Sequence, residues 1–397
     1  MINCFIPFLS LPQARQTVRA LGLCDRIKNI YLLATEKIPD EVEGCEMLMI
    51  DSPASTATFR TIALHADTAY TLLYTKYTAF EPGQFAFERL LAIAGDTNAG
   101  MLYADRYLLK NGNSQQAPVI DYQKGSLRDD FDFGSLLFFR SSVLKQAVRA
   151  MDADYRFAGL YDLRLRVSEL AELVHVNEYL YSEVETDIRK SGEKLFDYVD
   201  PKNRAVQIEM EAVCTAYLKR VGGYLAPDFE PVTFDAGGFE QEASVIIPVR
   251  NRIRTIEDAI RSVLAQKTTF RFNLIIVDNH STDGTSEAIE KYTADGRVVH
   301  LVPERSDLGI GGCWNVGVHH PACGKFAVQL DSDDVYSGPD TLQKIVDAFY
   351  EQNCAMVVGT YRMTDFKMNE IPPGIIDHRE WTLENGRNNA LRINGLG

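Results

Sequence analysis

Phe326-Ala327-Val328-Gln329-Leu330-Asp331-Ser332-Asp333-Asp334 runs an apolar stretch straight into three carboxylates. The apolar stretch reads as a buried strand, and the acids as the loop at its end. In an open α/β sheet, ligands bind beyond the carboxyl ends of the strands. Unpaired carboxylates repel one another, so the cluster calls for a cation or strong donors. Hard oxygen ligands suit Mg²⁺ or Mn²⁺, and such ions commonly bridge to nucleotide phosphates. A solvated acidic turn is the plainer reading, and Asp-x-Asp alone does not exclude it.

Working outward, strands and helices alternate. Ala243 to Pro248, Phe272 to Asp278, Val298 to Val302 and Ala355 to Gly359 read as further strands. Helices are expected over Ile256 to Leu264, Asp283 to Tyr292, Ile310 to Val318 and Thr341 to Tyr350. The second helix is expected to be capped by Ser281, Thr282 or Asp283. Such alternation predicts a parallel α/β sheet with its ligand at the strand ends. Asp278 ends one strand, where a carboxylate can accept the imide N–H of uracil. Ser281 and Asp283 suit the cap better, which leaves Asp278 free. His319-His320 precedes Pro321 in a turn with no carboxylate near in sequence, so a surface turn is favoured over a metal site.

The chain has 397 residues, 46% of them hydrophobic, enough for two or three domains with substantial cores. Its net charge of −14 argues against a nucleic-acid partner. No apolar run approaches membrane-spanning length. Met1 to Pro7 reads as a strand and lacks the basic start of a signal peptide. Seven cysteines without a Cys-x-x-Cys pair fit reduced thiols in a cytosol-like compartment. Val206, Met210, Val213, Tyr217 and Leu218 mark an amphipathic helix between Pro201 and Gly222. Residues 222–242 then read as a linker, which separates a domain at 1–221 from one at 243–397.

Five segments of the second domain, in order, resemble the donor half of a family 2 glycosyltransferase. They are Ser244 to Asn251, Thr255 to Gln266, Val277 to Thr285, Leu308 to Gly317, and Leu330 to Asp334. The resemblance implies a nucleotide-diphospho-sugar transferase-like fold of the glycosyltransferase-A type, a mixed, mostly parallel sheet flanked by helices. It also implies a nucleoside diphosphate sugar, UDP-sugar first and GDP-sugar second, with Mn²⁺ or Mg²⁺ as cofactor. Carried over by position, Asp278 would contact the base. Pro248 and Asn251 would shape the nucleotide floor, with Ser332 and Asn315 among the nucleotide contacts. Asp331 would contact the ribose or metal-bound water, and Asp333 would coordinate the metal. Arg250 stands where relatives often have a stacking aromatic, and a guanidinium plane also stacks. Cys313-Trp314-Asn315 departs from the Ala-Arg-Asn of many relatives, and Trp314 reads equally as a core aromatic. The family's catalytic base, an Asp that deprotonates the acceptor hydroxyl, is expected beyond Gly397, in a longer product.

The first 221 residues read as a degenerate second copy of the same fold. Cys4 to Pro7 parallels Val245 to Pro248, and Tyr31 to Ala34 parallels Ile275 to Asp278. Thr71 to Thr78 parallels Ala327 to Asp334, and Gly100-Met101-Leu102 falls on Met356-Val357-Val358. Ala34, Thr75 and Tyr77 then replace the liganding acids, and Lys76 would repel a metal. Phe157 to Arg166 resembles the family's acceptor-side helix, with Gly159-Leu160 where an acidic pair is expected. Asp162 nearby is read as a cap or surface acid, and Asp105 as a lone acid.

These readings imply an inverting, metal-dependent transferase that passes sugar to a glycan or lipid-linked saccharide acceptor. It would work in the cytoplasm, with room for peripheral association at the inner face of the membrane. A non-catalytic scaffold or nucleotide-sugar-binding module is the alternative. A sugar-1-phosphate nucleotidyltransferase ranks lower, because Pro248-Val249-Arg250-Asn251-Arg252 lacks the glycines of a triphosphate loop.

Overall fold

The computed structural model describes residues 1–37, 40–110, 113–184, 204–234 and 237–377, with positions 382, 386, 388 and 392. Pro201 and residues 393–397 lie outside them. The chain forms two compact units: Met1–Asp228 with Thr360–Gly397, and Phe229–Gly359.

The first unit begins with β1 (Ile2–Pro7), α1 (Leu11–Leu21), β2 (Ile27–Ala34), β3 (Glu46–Met49), α2 (Thr56–His65) and β4 (Tyr70–Tyr74). It continues with β5 (Phe80–Pro82), α3 (Ala86–Thr97), β6 (Met101–Lys110), β7 (Asn113–Ala117), β8 (Leu136–Arg140), α4 (Ser141–Arg149), α5 (Gly159–Leu170), β9 (Leu173–Val184) and α6 (Arg204–Val221). Its sheet has the order β3-β2-β1-β4-β8-β6-β9-β5, with β7 on β6. β1 to β4 run parallel, and β8 reverses direction against β4.

The second unit contains β10 (Ala243–Val249), α7 (Ile256–Leu264), β11 (Phe272–Asp278), α8 (Thr285–Glu290), β12 (Val298–Leu301), α9 (Gly309–Val318), β13 (Phe326–Gln329) and α10 (Thr341–Gln352). Its four strands are parallel in the order β12-β11-β10-β13. The run β3-β2-β1-β4 has the same order and direction. Every residue of β10 and β11 is buried, as expected of a parallel sheet covered on both faces. Val245, Ile247, Leu274 and Ile276 pack with Ile256, Ile260, Val263, Leu342 and Val346. On the other face Ile246, Ile275 and Val277 pack with Cys313, Leu308 and Trp314. Trp314 is therefore partly buried against this small core. Among the described residues no helix is long and apolar enough to cross a membrane.

Two expectations are corrected. Residues 355–359 are not a strand, and Met356 and Val358 are exposed. A strand needs a hydrogen-bonding neighbour. The matching β6 of the first unit lies between β8 and β9, and the second unit has no counterpart of either among its described residues. Next, α8 is only six residues long, and Gly284, with φ 95°, occupies its N-cap. By backbone contacts Thr360–Gly397 group with the first unit. There β14 (Tyr361–Thr364) and β15 (Glu370–Ile376) form a hairpin. Asn388 accepts from the Leu225 N–H at 3.3 Å and donates to the Leu225 carbonyl at 3.2 Å. Arg392, only 1% exposed, is paired with Asp129.

Gly317 lets α9 sit directly on β10. A Cβ there would stand 2.6 Å from Ile246 Cγ2. Gly317→Ala is expected to destabilise the second unit by about 1–3 kcal/mol, the usual scale for overpacking. Urea unfolding checks this, and Ile246→Val should recover part of the loss.

Candidate active site

Beyond Ile246, β13 leaves β10. Their register ends at Ile246↔Gln329, and the last bond runs from the Leu330 N–H to the Ile246 carbonyl at 3.1 Å. Pro248 comes two residues later. It has no N–H to donate, which suits a position past the end of that ladder. The strand order reverses here, with β11 on one side of β10 and β13 on the other, a topological switch point of the kind beside which open α/β sheets take their ligands.

Two loops form one wall. Asn251 adopts the left-handed region, φ 56°, which asparagine tolerates better than most residues. Its N–H donates to Ser281 Oγ at 2.9 Å, and its Oδ1 accepts from the Thr282 N–H at 2.8 Å. Asp283 Oδ2 accepts from the Ile253 N–H at 3.2 Å, and Thr285 Oγ1 accepts from the Arg252 N–H at 2.8 Å. Residues 250–253 and 279–285 are thus tied side chain to backbone. Arg250 is exposed on this wall.

Asp278 is not free. It is wholly buried, accepts from the Ser281 N–H at 2.9 Å and from Ser286 Oγ, and faces His300 Nε2 at 3.6 Å. Burial would raise its carboxyl, but the facing His300 and the bonds from Ser286 and Ser281 hold it far below the usual carboxylate range. Its neighbours Asn279 and His280 each carry a buried side-chain atom, Oδ1 and Nε2, without a hydrogen-bond partner among the described residues. His280 also has a positive φ of 60°. No local sequence signal assigned a role to Asn279, His280 or His300.

The acidic loop forms the opposite wall. Ser332 is buried, while Asp333 and Asp334 are exposed. The Asp334 N–H closes a turn onto the Asp331 carbonyl at 3.1 Å. Although Asp334 as a residue is exposed, partial burial of its carboxyl, then the charges of Asp331 and Asp333, push it above its ordinary value. Arg252 Nε stands 3.8 Å from Asp333 Oδ2, a cation that the sequence reading passed over. Asn315 is exposed on α9, where its carbonyl accepts from the His319 N–H at 3.0 Å. The oxygen donors of Asp331 and Asp333 suit a hard divalent ion. The three acids do not gather into one cluster, however. Among the described residues, only Cys24, Asp25 and Glu88 bring three His, Cys, Asp or Glu donor atoms within 4.8 Å of one another.

The same strand ends in the first unit are occupied from within. Glu183, wholly buried at the end of β9, pairs with Lys76 and with Arg106 Nε at 3.0 Å. It also accepts from Ser135 Oγ and, at 3.4 Å, from Tyr74 Oη. Thr75 is bound to Ser135, its N–H 2.8 Å from that carbonyl. At Gly159 an added Cβ would lie 2.6 Å from the Ala54 carbonyl oxygen and 2.6 Å from the Thr56 nitrogen. Asp162 is neither a cap nor a surface acid. It is 1% exposed and accepts from Arg166 Nε at 2.9 Å. Asp105 is likewise buried, with the Val119 N–H and His175 each at 2.8 Å.

Residues 244–395 match the family described as Glycosyl transferase family 2. The putative teichuronic acid biosynthesis glycosyltransferase TuaG of Bacillus subtilis is 33% identical over 120 residues, 30% of this chain and 46% of that protein. The putative glycosyltransferase EpsE of the same organism is 31% identical over 120 residues, 30% of this chain and 42% of its own length. The chain thus spans less than half the length of these relatives. The solved mannosyltransferase PcManGT of Pyrobaculum calidifontis, in complex with GDP-Man and Mn²⁺, aligns over 42% of this chain and 46% of its own, at 21% identity and a TM-score of 0.27. Residues 244–395 thus carry the match to a family 2 glycosyltransferase domain, and the β12-β11-β10-β13 sheet within them is of the α/β type.

Two outcomes follow from the charges. Glu183→Gln should destabilise the first unit by about 3–5 kcal/mol, because Lys76 and Arg106 lose their buried counter-charge; chemical denaturation measures it. Asp334→Asn should stabilise the ligand-free chain at neutral pH. A raised folded-state value means that stability is lost as pH rises above the unfolded value, and the loss is complete above the folded one. The gain should vanish as pH falls below about 3.9, the unfolded value, which thermal melts across pH would show.

Proposed function

We propose that the second unit binds a nucleoside diphosphate sugar in the crevice between β10 and β13 and transfers the sugar, with inversion, to a glycan or lipid-linked acceptor. The observation that carries this reading is the loop Asp331-Ser332-Asp333-Asp334, which follows directly where β13 departs from β10. Asp331 and Asp333 would hold Mn²⁺ or Mg²⁺. The ion would neutralise charge on the diphosphate leaving group. Pro248, Arg250 and Asn251 form the floor, with Ser332 and Asn315 as further nucleotide contacts. Asp278 acts through the 279–286 turn, which it holds. Arg252 at Asp333 supplies positive charge near the same diphosphate. UDP is the first candidate nucleotide and GDP the second.

The first unit is read as a copy of this fold that has lost its ligands. The matching strand order supports it, as do the internal Lys76–Glu183–Arg106 cluster and the closed position at Gly159. Its role would be packing, acceptor handling or assembly. A non-catalytic nucleotide-sugar-binding module is the second reading, favoured by the carboxylates' failure to converge.

Calorimetry with UDP and Mn²⁺ on the full chain is expected to show one site. Asp333→Asn should weaken metal-dependent UDP binding by at least about tenfold, the low end for disturbing a metal site, and Asp334→Asn should do less. Equal, small losses would return the loop to an acidic turn. A crystal soaked with UDP and Mn²⁺ should show density at Asp331 and Asp333. Density beside Thr75 and Tyr77 would overturn the reading of the first unit.

A further inference from the structure

His300, on β12, is a half-buried imidazole between two carboxylates from different elements. Nε2 faces Asp278 Oδ2 of β11 at 3.6 Å, and Nδ1 faces Glu290 Oε2 of α8 at 3.4 Å. Its side chain is 11% exposed. Nε2 is buried without a hydrogen-bond partner among the described residues, so a small approach of Asp278 would satisfy both groups. The third neighbouring titratable group is Cys313 of α9, near Asp278, whose thiol is pushed up by burial first and then by that carboxylate. It stays neutral and adds no charge.

Asp278 in turn holds the turn that bounds the crevice. It binds the Ser281 N–H and Ser286 Oγ, and Ser281 Oγ accepts from Asn251. A continuous chain of contacts therefore runs from Glu290 through His300, Asp278 and Ser281 to Asn251 at the nucleotide floor. A neutral imidazole offers one N–H and leaves one carboxylate facing a lone pair. An imidazolium offers an N–H to each.

We propose that His300 is a positioning residue for the nucleotide pocket: as an imidazolium between Glu290 and Asp278 it fixes the Asp278 carboxylate and, through it, the 279–286 turn and Asn251. This rests on the donor-site reading above. The field of Asp278, opposed by burial and aided by Glu290, raises His300 above its ordinary value. A raised folded-state value fixes the sign. The contact is complete below about 6.5, the unfolded value, and is lost as pH rises through the folded one.

The test uses the full chain and two readouts. NMR titration of the histidines, with the His300 signal assigned by its absence in His300→Gln, should show His300 titrating above the ordinary histidine range and dropping in Asp278→Asn. UDP affinity with Mn²⁺ is then measured across pH for wild type and His300→Gln. Their ratio, in which the titration of UDP itself cancels, should fall from about fivefold at low pH towards one as His300 deprotonates. An unshifted His300 in Asp278→Asn overturns the coupling. A pH-independent affinity ratio overturns the positioning role and leaves His300 a packing residue. If neither protein binds UDP or GDP at any pH, the donor-site reading falls, and with it the pocket role. The NMR titration still decides the His300–Asp278 contact.

Discussion

The separation of β13 from β10 after Ile246 governs everything chemical in the second unit. While the two strands are bonded, their backbone groups satisfy one another and no ligand can enter. Once Leu330 has made the last bond, the chain at 331–334 must find other partners, and so must the end of β10. Proline at 248 removes one donor from that account. Side chains of 251 and 281–285 satisfy most of the others. Among the described residues, the cation that faces the acidic loop is Arg252. One side of this strand end is thus satisfied from within, and the other carries acids with few internal partners.

The first unit parts its strands in the same place and meets the problem differently. β1 and β4 are paired only from Ile2 to Phe5, so Pro7 again lies past the ladder. There the following loop brings a lysine, and the far strand β9 brings a glutamate to meet it. Arg106, Ser135 and Tyr74 complete the shell. Buried ion pairs seldom add much net stability, but removing one partner is costly. Such a cluster therefore fixes the strand ends in one arrangement and leaves little for a ligand to gain.

Much of this was legible in the sequence, where local pattern governs. The bounds of α7 and β11 follow from apolar spacing alone, and the acidic loop was found directly from its strand. What was not legible depends on distance along the chain. Glu183 meets Lys76 across 107 residues and His300 meets Asp278 across 22, and neither pairing leaves a local trace. Asp278 looked free because Ser281 and Asp283 seemed sufficient for the turn. In the fold, the carboxylate of Asp278 is itself the acceptor that closes it. Residues 355–359 have the composition of a strand, but strand formation is a property of pairs, and composition reports only one member.

Gly159 carries a consequence for the history of such a chain. Its α-hydrogen side faces the backbone of 54–56 so closely that even alanine would collide with main-chain atoms, which cannot rotate away as a side chain would. No single substitution can place an acid there. The 54–56 segment would have to withdraw first, so a side chain of any kind at 159 calls for two changes rather than one.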